Sequence, residues 1–275
     1  GRGPWGEVAK YLRSIDPYHR ISTSHAGCGH DEPLVVDFDM VGGSHDASVA
    51  VRPQVLGGFL AAYAGKPPVP VLCGETAYEG HMQQAWQDVQ RQMFWMFMLS
   101  GAAGHTYGAA GIWHASVDGD PGCASSAFGG RKVYDWTTWI EGMNYPGSTQ
   151  LGISKKLLEE YPWYRFEPHP EWTEEDGYAA GIPGEVRFIY QPKCGIYNWQ
   201  GTIVKEVETN VPYSAFYFDP ATGRRFDQGK VQLMASDLSS FTGHTQPLLY
   251  EDDFDRKAVG FSPKGDAASW KDYGT

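Results

Sequence analysis

Two glutamates follow an apolar run that has the pattern of a buried strand. Residues 69–72 are apolar, Glu75 comes shortly after them, and Glu79 lies four residues further on. Glutamate is rarely buried without a partner, so an acid at the end of such a strand lies either in a surface loop or in a functional site. Glycoside hydrolysis uses two carboxyl groups, which retaining enzymes hold about 5–5.5 Å apart. A glutamate placed in this way could serve as the nucleophile of such an enzyme, and an ion-paired loop glutamate is the alternative.

Glu79 is expected in the loop that follows this strand. There it would bind sugar hydroxyls or cap a helix rather than act as the second catalytic acid. Gly74, directly before Glu75, would leave room for a substrate beside the strand end.

Polar and aromatic residues also follow the other strand-like segments. Each could hydrogen-bond sugar hydroxyls, or could be an ordinary core or loop residue: His25, Asp37, His45, His105 and Tyr107. As a set at one end of a parallel sheet they are predicted to converge on one cleft with Glu75. Tyr78 and Trp113 are candidate platforms for stacking on sugar rings, although Trp113 could equally belong to the core.

The elements that would position these residues alternate between strand and helix. Strand patterns cover residues 19–27, 34–46, 69–75 and 102–113. Helical spacing covers residues 3–17, 53–65, 83–101 and 148–163, the last with Ser148 as a possible N-cap. Such alternation predicts βα units around a parallel sheet, and four such strands amount to half of a TIM barrel.

The sequence changes character after residue 166. Short strand-like segments separated by Gly, Pro and Asn fill residues 167–250, and the stretch 219–224 is a strong turn signal. We predict a partial barrel over residues 1–166, an antiparallel β-sandwich over 167–250, and a linker or the start of another module over 251–275.

Charge, apolar content and cysteine spacing exclude several classes of binding partner. The net charge of −11 argues against nucleic acid or an anionic membrane, and no apolar run reaches the roughly 18 residues of a membrane span. The four cysteines form no C-x-x-C pair, and His30, Asp31 and Glu32 lack metal-site spacing, so no metal or other cofactor is expected. The glycine-rich residues 119–130 lack the Lys-Ser/Thr of a phosphate loop and are interpreted as an active-site lid.

Four stretches together resemble one family, the apiosidase-like glycoside hydrolases: "DPYHRISTSH", "VDFDM" with the following "SH", "GETAYEG" and "SGAAGHTYGAAGIW". The resemblance covers roughly residues 5–166. It implies a TIM barrel in which Glu75 ends strand seven as the nucleophile of a retaining enzyme. The strands present would then be five to eight, and the acid/base, which ends strand four, would lie at or before Gly1. The β domain resembles one named as a putative collagen-binding domain of a collagenase, on the residues "AFYFDPATG".

The resemblance implies a polysaccharide substrate of plant or microbial origin, containing furanosides or pentosides, and a secreted, periplasmic or cell-surface location. The missing half-barrel would come from the rest of the polypeptide or from another chain, and without it the chain is expected to be inactive. The alternative is a non-catalytic carbohydrate-binding protein in which Glu75 only hydrogen-bonds the ligand.

Overall fold

The computed structural model describes residues 5–25, 36–113, 115, 117, 137–173, 177–192 and 204–233. The chain divides into two units, Gly1–Gly147 and Ser148–Thr275. The domain limits expected from the sequence remain predictions, and residues 251–275 lie outside the described part.

A parallel sheet of three strands forms the centre of the first unit. Its strands are β1 (Asp39–Gly42), β2 (Val71–Glu75) and β3 (Gly104–His105), in the order β1-β2-β3. Leu72 of β2 lies opposite Met40 on one side and Gly104 on the other. Sequential strands that lie side by side in parallel are the arrangement that βα units produce, so the predicted parallel sheet is confirmed for these three strands.

The sequence predicts a fourth strand over residues 19–27, and the described part of that segment, residues 19–25, is not a strand. Its residues lie beside the start of β1: Ser22 O accepts from Asp37 N at 2.8 Å, and the Thr23 hydroxyl donates to Phe38 O at 2.7 Å. Serine and threonine hydroxyls compete with the backbone for hydrogen bonds, so this Ser-Thr-rich segment is held alongside β1 without completing a ladder.

Helices connect and cover the strands of the first unit. They are α1 (Trp5–Ile15), α2 (Ala47–Ala50), α3 (Gly57–Tyr63), α4 (Gln87–Met98) and α5 (Trp139–Met143), while α6 (Pro146–Glu159) starts at its end. Short 3-10 helices cover Pro53–Leu56 and His81–Gln83. The predicted helices are confirmed, although α6 begins at Pro146 rather than after Ser148, because proline suits the first helical position.

Helix α4 supplies most of the core against the sheet. Met93, Met96 and Phe97 are fully buried, and Phe97 packs edge-on against Phe59 of α3 with ring centroids 5.4 Å apart. Burying an apolar side chain of this size stabilises a fold by about 1.5–3 kcal/mol. Helices α3 and α4 thus fix the sheet whose ends carry the candidate residues.

Helix α1 leaves an apolar face in solvent. Val8, Leu12 and Ile15 recur at helical spacing, and all three are exposed, with Leu12 and Ile15 each 55% accessible. An amphipathic helix ordinarily buries this stripe against a neighbouring element. Within the described residues, the apolar face of α1 therefore has no such cover.

The second unit is antiparallel. Strands β4 (Glu167–Pro168), β5 (Tyr178–Ile182) and β6 (Val186–Tyr190) form one sheet, and β7 (Tyr213–Phe218) pairs with β8 (Arg225–Val231). Short 3-10 helices cover Trp163–Arg165 and Pro170–Trp172. The antiparallel strands predicted after residue 166 are confirmed, whereas the sandwich remains a prediction.

A stack of side chains fills the interior of this unit. The buried Trp172 ring lies between His169, stacked at 3.9 Å between centroids, and the Arg187 guanidinium, 3.9 Å from the ring centroid. Arg187 also pairs with Glu208 at 2.8 Å. Across the described parts of both units, no helix has the length and apolar character needed to span a membrane.

Replacing Gly142 by alanine tests the contact between α5 and the loop after β3. A Cβ at Gly142 would lie 2.1 Å from the main-chain oxygen of Ala110, which cannot move aside as a side-chain tip would. We expect Gly142→Ala to lower the free energy of unfolding by about 1–3 kcal/mol in urea titrations. Gly57→Ala is the matched control, because no heavy atom lies within 4 Å of its Cβ position. Equal stability of the two variants would contradict this packing.

Candidate active site

Glu75, the last residue of β2, lies among three side chains that contact its carboxylate. Tyr78 donates its hydroxyl to Oε1 at 2.8 Å, His25 Nε2 contacts Oε2, and His45 Nε2 lies 3.4 Å from Oε1. The main chain of Glu75 is also fixed, because Gly43 N donates to Glu75 O at 2.5 Å. The structure thus brings together four of the residues predicted from the sequence.

The surroundings of Glu75 favour its ionised form. Burial by itself would raise the pKa of this carboxyl, but the hydrogen bonds from Tyr78 and His25 outweigh burial and lower the pKa below its ordinary value. Burial, together with the bond to Glu75, raises the pKa of Tyr78 to about 12. At neutral pH Glu75 is therefore a carboxylate and Tyr78 a neutral hydroxyl donor, while a quarter of the Glu75 side chain stays accessible to solvent, at 25%.

Aromatic rings form a wall beside this carboxylate, which we call the ring wall: His45, Tyr78, His81 and Trp113. The Tyr78 ring meets the His45 ring edge-on at 5.0 Å and the tilted Trp113 ring at 6.3 Å. His81 lies edge-on to Trp113 at 5.6 Å. Trp113 is half-buried, so part of its surface remains accessible to solvent.

The sequence analysis missed His81. It lies two residues after Glu79 in the same polar stretch, which was a signal for it, but it follows the strand by six residues and no periodicity places it near Glu75. A left-handed Gly80, at φ +73°, turns the chain back and brings the His81 ring to the ring wall.

Glu79 lies in the loop after β2, as predicted, but its side chain is fully buried and not open to a ligand. Its carboxylate accepts from the Tyr107 hydroxyl at 2.5 Å and from Gly147 N, at the start of α6, at 2.9 Å. Burial raises the pKa of Glu79, although both donors oppose that rise. This environment makes Glu79 a structural carboxylate that accepts at a helix start, which matches the helix-capping option for this residue.

The main chain around Glu79 joins the loop after β2 to the loop after β3. Glu79 N donates to Gly108 O, and Ala110 N donates to Glu79 O, both at 2.9 Å. The Tyr78 ring lies directly over Gly108, where a Cβ would come within 2.3 Å of it. Segment 107–110 therefore limits the space that the Tyr78 ring can occupy on this side.

Two residues that the sequence placed in the cleft lie elsewhere. The His105 ring packs against Phe94 and Phe97 of α4, at 5.6 and 6.2 Å between centroids, so its predicted position beside Glu75 is wrong. The strand pleat turns this side chain to the helix layer.

Asp37 precedes β1 instead of following a strand, so it lies at the amino end of the sheet. There it pairs with Arg13 at 2.6 Å and accepts from Ser22 N at 2.7 Å. Tyr107 follows β3 as predicted, but its hydroxyl is bound to Glu79.

Other candidates fall outside the described residues. His30, Asp31, Glu32 and the glycine-rich segment 119–130 are among them. Where side chains are described, no three His, Cys, Asp or Glu residues are grouped so that they could hold a metal ion.

Comparison with known proteins gives a family and a fold. The family model described as "Apiosidase-like, catalytic domain" matches residues 2–165. A solved structure described as a glycoside hydrolase matches with a TM-score of 0.65 at 18% identity. The match covers 84% of this chain and 56% of the chain in that structure. A glycoside hydrolase family 5 structure from Bacteroides vulgatus has a TM-score of 0.67 at 16% identity, covering 84% of this chain and 54% of its own.

Curated proteins give no match. The chain spans little more than half the length of the two solved structures, at 56% and 54%. At these identities the likeness shows a mixed α/β fold of the kind found in glycoside hydrolases.

His105 should make the chain less stable in mild acid. Burial lowers the pKa of His105 from 6.5 to about 4. Below pH 6.5, His105 therefore becomes protonated in the unfolded chain while it stays neutral in the folded chain. The resulting loss of unfolding free energy grows as pH falls from 6.5 to 4 and reaches about 3 kcal/mol.

Urea titrations between pH 7 and pH 4 measure this loss. His105→Phe should remove it and flatten that part of the pH dependence. His19→Asn, at an exposed residue with φ +48° that asparagine tolerates, should keep the parent's dependence. Identical pH dependences of parent and His105→Phe would show that His105 is not buried in the neutral form.

Proposed function

Because the chain belongs to the apiosidase-like catalytic-domain family, we propose that it acts as a retaining glycoside hydrolase with Glu75 as its nucleophile. The observation that carries this proposal is the ionised, partly accessible Glu75 carboxylate at the carboxyl end of β2, held by Tyr78 and His25. The substrate would be a plant or microbial polysaccharide containing furanosides or pentosides.

In the proposed reaction a Glu75 oxygen attacks the anomeric carbon of the substrate. A carbon–oxygen ester bond to Glu75 forms while the glycosidic bond breaks and its electrons leave with the departing oxygen. Water then cleaves the ester and restores the carboxylate. A low pKa suits this role, because only the ionised form attacks.

The residues around Glu75 have separate parts in this proposal. Tyr78 and His25 hold the carboxylate in one orientation, and a nucleophile held by packed neighbours meets the reacting carbon at lower entropic cost. His45 and the exposed part of Trp113 would contact sugar hydroxyls and the sugar ring face.

The proton donor for the leaving group is proposed to lie outside the described residues. The described carboxylates that could replace it are engaged elsewhere: Asp37 pairs with Arg13, Asp46 caps α2 through Ser48, and Glu79 is fully buried. Asp39 is buried at the first residue of β1. This arrangement supports an acid/base supplied by a further part of a barrel.

Glu75→Gln tests the nucleophile. It keeps the shape of the side chain but removes the attacking charge. Measured in a protein that also contains the completing half-barrel, hydrolysis of a pentoside or furanoside carrying a dinitrophenyl leaving group should therefore fall roughly 10³-fold or more. Such a leaving group departs without protonation, so the test does not depend on the acid/base. Glu159→Gln, at an exposed position of α6, is the matched control and should retain the parent's rate.

Mass spectrometry of the parent with a 2-fluoro derivative of the same substrate should find the sugar esterified to Glu75. Ligand binding without an ester, and without a rate difference between Glu75→Gln and Glu159→Gln, would favour the carbohydrate-binding alternative.

We further propose that the apolar face of α1 packs against additional strands and helices, which would complete a TIM barrel with strands five to eight in this chain. Leu12 and Ile15 are each 55% exposed, and the two similar structures are nearly twice as long as the matched region. Parallel sheets are ordinarily covered on both faces, which supports the same proposal.

The double variant Leu12→Gln, Ile15→Gln tests this face. The isolated chain should self-associate through it, because exposed apolar patches of this kind drive association. Sedimentation velocity over a range of concentrations should show less association for the variant than for the parent. The free energy of unfolding should change little, since both side chains are exposed; a marked loss would mean that α1 packs inside the chain.

A further inference from the structure

The turn after Glu79 has a backbone that its residues do not favour. Met82, Gln83 and Ala85 have positive φ angles of 54°, 60° and 58°, close after the left-handed Gly80. Non-glycine residues rarely adopt this region, and such strain persists only where surrounding contacts enforce it. Three non-glycine residues with positive φ lie within four positions here. We call residues 80–85 the strained turn, and its backbone must be held by surrounding contacts.

Buried contacts hold the strained turn at both ends. The Gln90 side chain of α4 is fully buried and donates to Ala77 O at 2.8 Å and to Ala85 O at 2.9 Å. Within the turn, Gly80 N donates to Gln84 O at 3.0 Å. The Tyr145 ring closes over Gly80 and would lie 2.8 Å from a Cβ there.

The strained turn carries His81 to three rings of the Glu75 site. The His81 ring lies 5.6 Å from Trp113, 6.2 Å from Tyr78 and 6.1 Å from His45, each at a steep interplanar angle. Edge-to-face contacts of this kind add to the stabilisation that burial of the rings gives, and they favour one orientation of a partly exposed ring.

The turn also reaches the loop that carries His45. The Gln84 side chain accepts from Ala47 N at 3.4 Å and donates to His45 O at 3.5 Å. Both sides of the ring wall thus depend on residues 80–85.

We propose that His81, held by the strained turn, is a positioning residue that fixes Tyr78 in the orientation in which its hydroxyl binds Glu75. The catalytic use of that orientation rests on the function proposed above, but the contact itself does not. Without the His81 ring, Tyr78 loses one of the rings that contact it and its hydroxyl spends less time on Glu75.

The titration midpoint of the Glu75 carboxyl reports whether the Tyr78 hydroxyl is bound to it, and this measurement needs no hydrolysis. Its carboxyl resonance can be followed by carbon NMR and assigned by its loss in Glu75→Gln. Tyr78, His25 and His45 are the described groups that face it, and loss of a donor raises a carboxyl pKa. Tyr78→Phe gives the full upward shift of the titration midpoint.

His81→Ala should raise the Glu75 titration midpoint by roughly half or more of the rise seen in Tyr78→Phe. His81→Phe, which keeps a flat ring, should have a midpoint close to that of the parent. On a dinitrophenyl glycoside, the acid limb of the kcat/KM profile should move in the same direction. A midpoint in His81→Ala equal to that of the parent would overturn the proposal. A protein that includes the completing half-barrel, titrates as expected and hydrolyses nothing would refute the proposed function alone.

A second pair of variants tests the strained turn itself. Met82 has φ +54° and its side chain is half exposed, at 51%, so replacing it costs little packing. Met82→Gly permits the left-handed backbone, whereas a β-branched Met82→Val opposes it. Only Met82→Val should raise the titration midpoint of the Glu75 carboxyl. Equal midpoints in the two variants would overturn the proposal that the strained turn holds His81 in place. This pair decides the question even where His81→Ala does not fold.

Discussion

A fully buried carboxylate, that of Glu79, organises the carboxyl end of the sheet. A charge in this position needs hydrogen-bond donors, and Tyr107 and the first turn of α6 supply them. Those donors come from the loop after β3 and from a helix start 68 residues away in the sequence. Satisfying one carboxylate therefore fixes three segments of the first unit relative to one another.

The same constraint bears on Tyr78, the residue before Glu79 in the sequence. The main chain of Glu79 is bonded to Gly108 and Ala110, which holds the Tyr78 ring close over Gly108, on the side from which its hydroxyl donates to Glu75. Glu75 and Glu79 are thus chemically different carboxyls four residues apart: one is partly accessible with a lowered pKa, the other is buried with a raised pKa. Environment, rather than residue type, separates the candidate nucleophile from the structural acid.

The similar structures place this arrangement in a wider setting. Their likeness over 84% of the chain concerns a glycoside hydrolase fold, and the chain corresponds to little more than half of either one. The exposed apolar face of α1 and the Glu75 site lie in the same unit.

The sequence alone determined the local elements and the principal candidate residue. The apolar run before Glu75, the helical spacing of α1, α3 and α4 and the antiparallel strands after residue 166 depend on neighbours a few positions apart, so pattern and turn chemistry suffice to predict them. The resemblance of short motifs supplied the family, and the position of His45 beside Glu75 followed from strand ends meeting at one edge of a sheet. His25 also lies at Glu75 as predicted, although residues 19–25 form no strand.

Only the tertiary structure decided the inward or outward direction of each remaining side chain. His105 turned to α4 and Asp37 fell at the opposite edge, because strand register and pleat depend on the partner strand rather than on the segment itself. Glu79 became structural because its donors lie far away in the sequence, and His81 joined the ring wall because left-handed residues, enforced by Gln90, turn the chain back. Long-range hydrogen bonds and backbone strain leave no periodic trace in the sequence, so no pattern could have predicted them.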